Sequence, residues 1–432
     1  MARNLLRSRR FWPFLLLQAC GALADNLYKN AIAVLIIGQA GAAGPVLVAA
    51  AGGVFILPFL LFSIPAGVLA DRYDKARLVR LAKLAELLLM LAAAGALVSR
   101  NPAALLLVLF GLGAQAAFFG PIKYAIVPEL LTAEAVPAAT GWIEATTFFA
   151  ILIGTVAGAA LMAAPAAVWL AGGAGVVLAA IGLAAARLLP ALVAAAPESV
   201  GARGLWRETR ALFAAARLVP EIWAAILGLS WFWAVGAVFI TEFPALAHHV
   251  FAAGADLVAL FLMAFVLGVG AGAVATGRIA AGGVRLSPVP WALLAMALLI
   301  GDFAVMTHRF GLFPGGQTVR QILVTVAGWH LLADLFLIAA MGGVVSVLLY
   351  GVLQRAPAAL RARLVAANNV LNAAFMASAA LALMGLHGLG LAPPAIFAAL
   401  AALALAVALV SFRVINQAAK SSRCVDVTDA SG

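Results

Sequence analysis

Gly67-Val68-Leu69-Ala70-Asp71-Arg72-Tyr73-Asp74-Lys75-Ala76-Arg77 is a short charged turn held between two long apolar runs, 46–69 and 78–98. Crossing about 30 Å of hydrocarbon as a helix takes roughly 20 residues, and each run is long enough. Outward from this turn the pattern repeats. Apolar stretches recur at 11–37, 46–69, 78–98, 102–127, 138–163, 166–188, 222–248, 256–278, 289–306, 329–350, 364–386 and 391–412. A β-barrel would need short alternating segments instead. The 432 residues are 66% hydrophobic and 10% charged, whereas soluble domains run about 45–50% apolar and about 25% charged. A water-soluble fold is excluded, and the expectation is an all-α membrane protein with twelve transmembrane helices.

The basic residues divide unevenly among the connections. With the N-terminus in the cytoplasm, the inner segments hold Arg3, Arg7, Arg9, Arg10, Arg72, Lys75, Arg77, Arg80, Lys83, Arg187, Arg203, Arg207, Arg210 and Arg217. They continue with Arg278, Arg285, Arg355, Arg361, Arg363, Arg413, Lys420 and Arg423. That makes 22 of the 27 Lys and Arg residues, against Arg100, Arg309 and Arg320 outside. Cytoplasmic loops carry such an excess, so both termini are expected in the cytoplasm. The same residues account for the net charge of +11. A nucleic-acid-binding domain would need a soluble basic patch, which this pattern does not offer.

At the N-terminus, the Arg-rich start, the run from Phe11 and Ala22-Leu23-Ala24 imitate a signal peptide, and Leu17-Gln18-Ala19-Cys20 imitates a lipoprotein box. The apolar helix continues past both to Ile37, so a retained first span is expected. Cys20 lies in a span and Cys424 in the tail, which gives no disulfide or metal framework.

Six spans, a polar connection and six more spans divide the chain into a bundle at 1–189, a cytoplasmic linker at 190–221, a bundle at 222–412 and a cytoplasmic tail at 413–432. The linker carries Glu198, Arg203, Arg207, Glu208, Arg210 and Arg217, the composition of an amphipathic segment lying on a membrane surface. Transporters built from two related halves follow this plan, with the substrate site between the halves near the midplane. Gly154-x-x-x-Gly158 and Gly268-Val269-Gly270-Ala271-Gly272 allow close backbone approach, read either as sliding surfaces or as simple tight packing.

The opening turn, a small residue three positions before Asp-Arg with a basic cluster following, resembles the signature loop of the major facilitator superfamily. Asp74 stands where that family usually has Gly. The gate residues expected on this reading are Gly67, Asp71, Arg72 and Arg77. Gly67 would lie close to a neighbouring helix, Asp71 against a helix N-terminus or a cation, and the two arginines at the cytoplasmic surface. The alternative is a positively charged inner loop and nothing more. The matching loop of the second half, Gly277-Arg278 through Arg285, lacks the acid.

Ionisable groups inside a bilayer cost at least about 2.5 kcal/mol each on insertion scales. Within the spans stand Asp25, Lys29, Lys123, Glu144, Glu242, Asp302 and Asp334. At 100° per residue, Gln18, Asp25 and Lys29 fall within about 60° of one another, with Asn26 and Asn30 on an adjoining strip. Glu144, Thr147 and Thr155 share a face of span 5, and span 4 presents Gln115, Lys123 and Tyr124. Two readings stay open for these charges. One is a structural ion pair, Asp25 with Lys29 or Glu144 with Lys123. The other is a carboxylate and an ammonium held apart in a low-dielectric cavity to clamp a zwitterionic head group. Either acid is also a candidate proton site. In the second half, Ser230-Trp231-Phe232-Trp233 reads as a lipid path or as packing aromatics. Asn368, Asn369 and Asn372 read as helix glue or cavity lining, and Asp302, His330 and Asp334 as solvated helix ends.

Four motifs sit in separate spans: Gln18-Ala19-Cys20-Gly21-Ala22-Leu23-Ala24-Asp25-Asn26-Leu27-Tyr28-Lys29-Asn30; Gly120-Pro121-Ile122-Lys123-Tyr124; Glu144-Ala145-Thr146-Thr147-Phe148 with Ala150-Ile151-Leu152-Ile153-Gly154-Thr155; and Gln354-Arg355-Ala356-Pro357 leading to Ala366-Ala367-Asn368-Asn369. Together they resemble the lysophospholipid transporters of the superfamily, including the transporter domains fused to 2-acylglycerophosphoethanolamine acyltransferase and acyl-carrier-protein synthetase. The resemblance implies two six-helix bundles that move lysophosphatidylethanolamine and lysophosphatidylglycerol from the outer to the inner leaflet of a bacterial inner membrane, for reacylation. Asp25, Lys123 and Glu144 fall on the family's characteristic polar positions, and with the polar residues read above the expected substrate set is Asp25, Asn26, Lys29, Lys123, Glu144, Asn368 and Asn369. The resemblance also implies a monomer without cofactor, with membrane lipids around it and a separate acyltransferase or acyl-carrier-protein synthetase as partner. Members of that branch carry a basic residue in span 7, where this chain reads Phe239-Ile240. Such acyltransferases need His-x4-Asp. His330-x3-Asp334 misses that spacing, so no fused enzyme and no catalysis are expected. Two other functions remain open at this stage: a proton-coupled exporter of drugs or metabolites, and a non-transporting scaffold for an acyltransferase.

Overall fold

A backbone in hydrocarbon finds no water to bond, so each span has to close its hydrogen bonds within itself as helix. The computed structural model describes residues 5–40, 44–162, 164, 166–194, 205–311 and 318–429. Arg3, Glu198 and Arg203 lie outside them. Among the described residues, twelve helices are long and apolar enough to cross a membrane. The first six are α1 (Trp12–Ala40), α2 (Gly44–Arg72), α3 (Lys75–Ser99), α4 (Pro102–Ala125), α5 (Val136–Met162) and α6 (Ala167–Arg187). A separate helix, Leu205–Leu218, lies in the linker. The remaining six are α7 (Pro220–His249), α8 (Ala255–Ile279), α9 (Pro288–Gly311), α10 (Val326–Arg355), α11 (Ala358–Gly388) and α12 (Pro393–Asp429). All twelve expected spans are present. The helices overrun them where polar ends stay helical: α9 extends to Gly311, and α12 continues through most of the tail.

Capping explains the turn between α2 and α3. Asp74 Oδ1 accepts from the backbone N–H of Ala76 at 2.7 Å and of Arg77 at 3.4 Å. Its φ is −54°, so the turn needs no left-handed residue, and an N-capping Asp serves where the family places Gly. The next turn has the opposite chemistry. Arg100 ends α3 in the left-handed region with φ 52°, and Asn101 then caps α4, accepting from Ala103 N–H at 2.9 Å. Pro102 follows at the first helical position, where its missing N–H costs nothing.

The contacts divide the chain into two units, Met1–Phe213 with Leu353–Ala374, and Ala214–Val352 with Phe375–Gly432. Within the first unit, α1 packs against α5 and α6, α2 against α4, and α3 against α4 and α6. A Cβ at Gly154 would strike the Leu23 carbonyl and one at Gly158 the Leu27 carbonyl. The Gly154-x-x-x-Gly158 pattern is therefore a tight seam between α1 and α5. Within the second unit, α12 packs against α7 and α9, and Gly268 and Gly272 abut the carbonyls of Phe336 and Ala340 on α10. Leu107, Trp169 and Trp291 are exposed, as side chains facing lipid are.

Replacing Gly158 by Leu forces α1 and α5 apart. The expected cost is about 1–3 kcal/mol or more, read as a lowered melting temperature in detergent. Gly53→Leu, with open space at that Cβ position, leaves the melting temperature unchanged.

Candidate functional site

Helices α1, α4 and α5 each turn polar side chains into the first unit, where they join. Gln18 donates from Nε2 to Thr146 Oγ1 at 2.5 Å, and its Oε1 lies 3.0 Å from Thr147 Oγ1. Thr147 Oγ1 in turn accepts from Lys123 Nζ at 2.7 Å. Beside it the Tyr124 hydroxyl donates to Glu144 Oε1, while Glu144 Oε2 is buried without a hydrogen-bond partner. Gln354, at the end of α10, completes the network. It donates to the Tyr124 carbonyl at 3.2 Å and accepts from Thr140 Oγ1 at 2.9 Å.

Asp25 stands seven residues beyond Gln18 on α1, about 10.5 Å of helix rise. Its Oδ1 is buried and has no hydrogen-bond partner. Lys29 Nζ sits 4.4 Å from the centroid of the Phe55 ring. Among the described residues neither of the two ion pairs weighed above forms. Lys123 and Glu144 are joined only through Thr147, Tyr124 and the electric field between them.

A buried ion pair does form nearby, on α3. Lys83 Nζ lies 2.6 Å from Glu86 Oε2, with the two side chains 1% and 2% exposed. Gln115 donates to the same oxygen at 3.1 Å, and Lys83 Nζ lies 5.0 Å from the centroid of the Phe119 ring. A Cβ at Gly21 on α1 would meet both Lys83 Nζ and the Glu86 carboxylate. The charges acting on Asp25 are Glu86, Lys29 and Lys83, and those acting on Lys123 are Glu144 and Lys83.

Two points differ from the sequence expectation: Lys83 is a buried residue within α3 rather than a solvated loop charge, and Glu86 stands beside it among the charges within the spans. The signal was present: Lys83-x-x-Glu86 places opposite charges on one helix face, and Glu86 stands well inside the apolar run 78–98.

The asparagines divide. Asn26 donates to the Ala22 carbonyl at 2.7 Å, and Asn30 to the Asn26 carbonyl at 2.9 Å and Thr155 Oγ1 at 3.3 Å. Those side chains serve the α1–α5 seam. Asn369 Nδ2 occupies the space that a Cβ on Gly120 would take. Asn368 is fully buried, and neither its Nδ2 nor its Oδ1 has a hydrogen-bond partner.

At the α2–α3 turn, Asp71 is buried and accepts from Ala362 N–H at 3.1 Å, Arg363 N–H at 3.2 Å and Arg363 Nε at 3.2 Å. Gly67 packs directly on the Ala362 carbonyl and Ala366. Arg72 lies beside the Tyr73 ring, and Arg77 is exposed. The cations gathered around the buried acids are instead Arg363 and Lys75, the latter 2.7 Å from Glu129. Nothing local in the sequence singles out Arg363 for this contact.

In the second unit Trp231 lines an apolar cavity of about 500 Å³ with Trp223, Leu293, Leu349 and Phe375. Phe239 is fully buried, its ring centroid 4.9 Å from that of Phe397 and 5.5 Å from that of Phe265. Phe239, one of the two span-7 residues singled out in the sequence, is thus part of a ring cluster. Glu242 Oε1 lies 2.8 Å from His387 Nε2. Asp334 is buried, contrary to the solvated helix end expected, while Asp302 and His330 remain about half exposed.

The sequence profile described as Major Facilitator Superfamily matches residues 14–380. A curated relative, the lysophospholipid transporter LplT of Salmonella paratyphi B, is 35% identical over 192 residues, 42% of this chain and 44% of that protein. LplT of Salmonella newport matches to the same extent. The matched region thus spans less than half the length of these curated relatives. Among solved structures, the E. coli fucose:proton symporter FucP superposes with a TM-score of 0.68 at 15% identity, over 94% of this chain and 98% of that one. The human organic anion transporter MFSD10 gives 0.68 at 16%, over 94% and 99%. At these identities the likeness concerns the twelve-helix fold.

Lys83→Met leaves Glu86 buried without its ammonium, and such a broken pair costs about 3–5 kcal/mol. Lys83→Met combined with Glu86→Met removes both charges and is expected to recover most of that loss in thermal unfolding. A double variant as unstable as the single one would contradict this charge balance.

Proposed function

Because the chain belongs to the Major Facilitator Superfamily, it is a transporter, and we propose that its cargo is a lysophospholipid. On this reading it carries lysophosphatidylethanolamine and lysophosphatidylglycerol from the outer to the inner leaflet of a bacterial inner membrane by alternating access. Both termini are cytoplasmic, and the bundles are 1–189 and 222–412, joined by the linker 190–221. A separate acyltransferase or acyl-carrier-protein synthetase reacylates the product. The observation that carries the proposal is the set of partly exposed and buried charges inside the first unit. Asp25 and Glu144 each keep a buried carboxylate oxygen without a hydrogen-bond partner, and Lys123 spends its ammonium on a neutral hydroxyl. The curated relatives' name supports the choice of cargo.

The chemistry follows from the head group. A phosphate anion is drawn to Lys123 and Lys29, and an ethanolamine ammonium to the open oxygens of Asp25 and Glu144. Opposite charges attract strongly where water is excluded. Lys83 and Glu86 are paired with each other through Oε2, so they chiefly shape the field, although Glu86 Oε1 also keeps no hydrogen-bond partner. Asn368, with both amide atoms unbonded, offers polar contacts from α11. Asn26 and Asn369 position the neighbouring helices, and release requires that the attraction stay moderate. Gly67, Asp71 and Arg363 form the inner latch, flanked by Lys75–Glu129, Arg72 and Arg77.

Spheroplasts expressing the chain are expected to take up radiolabelled lysophosphatidylethanolamine above vector control, and uptake equal to control with the protein present would sink the proposal. Asp25→Asn should lower uptake of lysophosphatidylethanolamine more than that of lysophosphatidylglycerol, which lacks the ammonium. Lys123→Met should lower both, because both carry the phosphate. Gly67→Leu keeps α2 from closing on α11 and should stop turnover without abolishing binding, measured as uptake against retained binding of labelled lipid to purified protein.

A further inference from the structure

Asp302 on α9 and His330 and Asp334 on α10 meet in the second unit, toward the α9–α10 connection. His330 Nε2 lies 2.8 Å from Asp302 Oδ2 and 3.8 Å from Asp334 Oδ2. The three donor atoms all fall within 4.8 Å of one another. His330 and Asp334 stand one helical turn apart and so share a face.

The decisive atom is Asp334 Oδ2. Asp334 is 3% exposed, and this oxygen is buried with no hydrogen-bond partner. It points at the imidazole from 3.8 Å, beyond hydrogen-bonding reach. A carboxylate oxygen left in that state loses its water and gains no bond in exchange. His330 and Asp302, by contrast, have side chains 46% and 47% exposed, which leaves the cluster open to water on one side.

We propose that Asp302, His330 and Asp334 form a binding site for a divalent first-row transition metal ion of the Zn²⁺ or Mn²⁺ class, with water completing its shell. One imidazole nitrogen and two carboxylate oxygens are donors these ions accept together, whereas Mg²⁺ and Ca²⁺ favour oxygen throughout. An ion about 2.0–2.2 Å from each donor needs donor separations of about 3–3.6 Å. The pairs at 2.8 and 3.8 Å bracket that range, so small side-chain rotations close the shell. Bound there, the ion gives Asp334 Oδ2 its missing partner and fastens α9 to α10. The site does not depend on the identity of the cargo.

The test uses tag-free, chelator-washed, full-length protein in detergent, dialysed against Zn²⁺, Mn²⁺ or Mg²⁺ alone, with bound metal measured by mass spectrometry. Zn²⁺ is expected to bind at about one ion per chain with Mg²⁺ near zero, and Co²⁺ to give visible absorption bands of the bound ion. His330→Ala, at a half-exposed position that tolerates change, should weaken binding about tenfold or more and erase the Co²⁺ bands. Asp334→Asn should do the same, and His248→Ala should leave both readouts unchanged. Absence of Zn²⁺ binding by the unaltered chain overturns the proposal. Retention of binding and bands in His330→Ala overturns it too, whether or not Asp334→Asn folds.

Discussion

The 2.6 Å contact between Lys83 and Glu86 is sealed from solvent inside a bundle of apolar helices. Removing two ions from water costs several kcal/mol each, and their mutual attraction offsets this only when further hydrogen bonds satisfy the remaining valences. Gln115 supplies one such bond from α4, and the Phe119 ring covers the ammonium. Gly21 on α1 leaves the space the two side chains fill, so α1, α3 and α4 are all fitted around this pair. Around this pair Asp25 Oδ1, Glu86 Oε1 and Glu144 Oε2 are buried without a hydrogen-bond partner, while Lys123 is held by the Thr147 hydroxyl. An enclosed polar interior with open valences is what a charged head group needs, and a fully satisfied one would have nothing to offer it.

The same unit contains the Asp71–Arg363 contacts proposed as a latch, and the two are physically continuous. Gln354 bonds the carbonyl of Tyr124, whose hydroxyl meets Glu144. A short distance along the chain, Ala362 and Arg363 bond Asp71, and Gly67 closes on Ala366. The segment Leu353–Ala374, which contacts the first unit, therefore touches both the charged cluster and the α2–α3 turn. A ligand that draws Glu144 or Lys123 away from Tyr124 and Thr147 acts on side chains one bond removed from that segment. On the proposed function, this contiguity is where occupancy of the site could be coupled to the Asp71–Arg363 contacts.

Much of the fold was legible because hydrocarbon allows so few solutions: apolar length alone located all twelve helices. The turn at Asp74 was legible only in part. The Gly-to-Asp departure at Asp74 could be seen, but not that its carboxylate caps α3, since capping depends on backbone geometry that spacing does not carry. Lys83 was hidden by its position near the end of a span, where a basic residue reads as a loop charge. Whether such a residue snorkels outward or turns inward is decided by its neighbours, here Glu86, Gln115 and Gly21. Arg363 and the cluster of Asp302 with His330 and Asp334 depend on helix packing between distant parts of the chain, and single-helix periodicity is blind to that. His330-x3-Asp334 was visible as a spacing, but what it meets on α9 was not.

On the proposed function, the charges inside the first unit receive a lysophospholipid head group. Photo-crosslinking addresses it most directly, with purified full-length protein, a lysophosphatidylethanolamine bearing a photoreactive group next to the phosphate, and peptide mapping by mass spectrometry. Labelling is expected on α1, α4 and α5 around Asp25, Lys123 and Glu144, suppressed by excess unlabelled lysophosphatidylethanolamine. Labelling confined to the apolar cavity beside Trp231, or unaffected by the competitor, would contradict it.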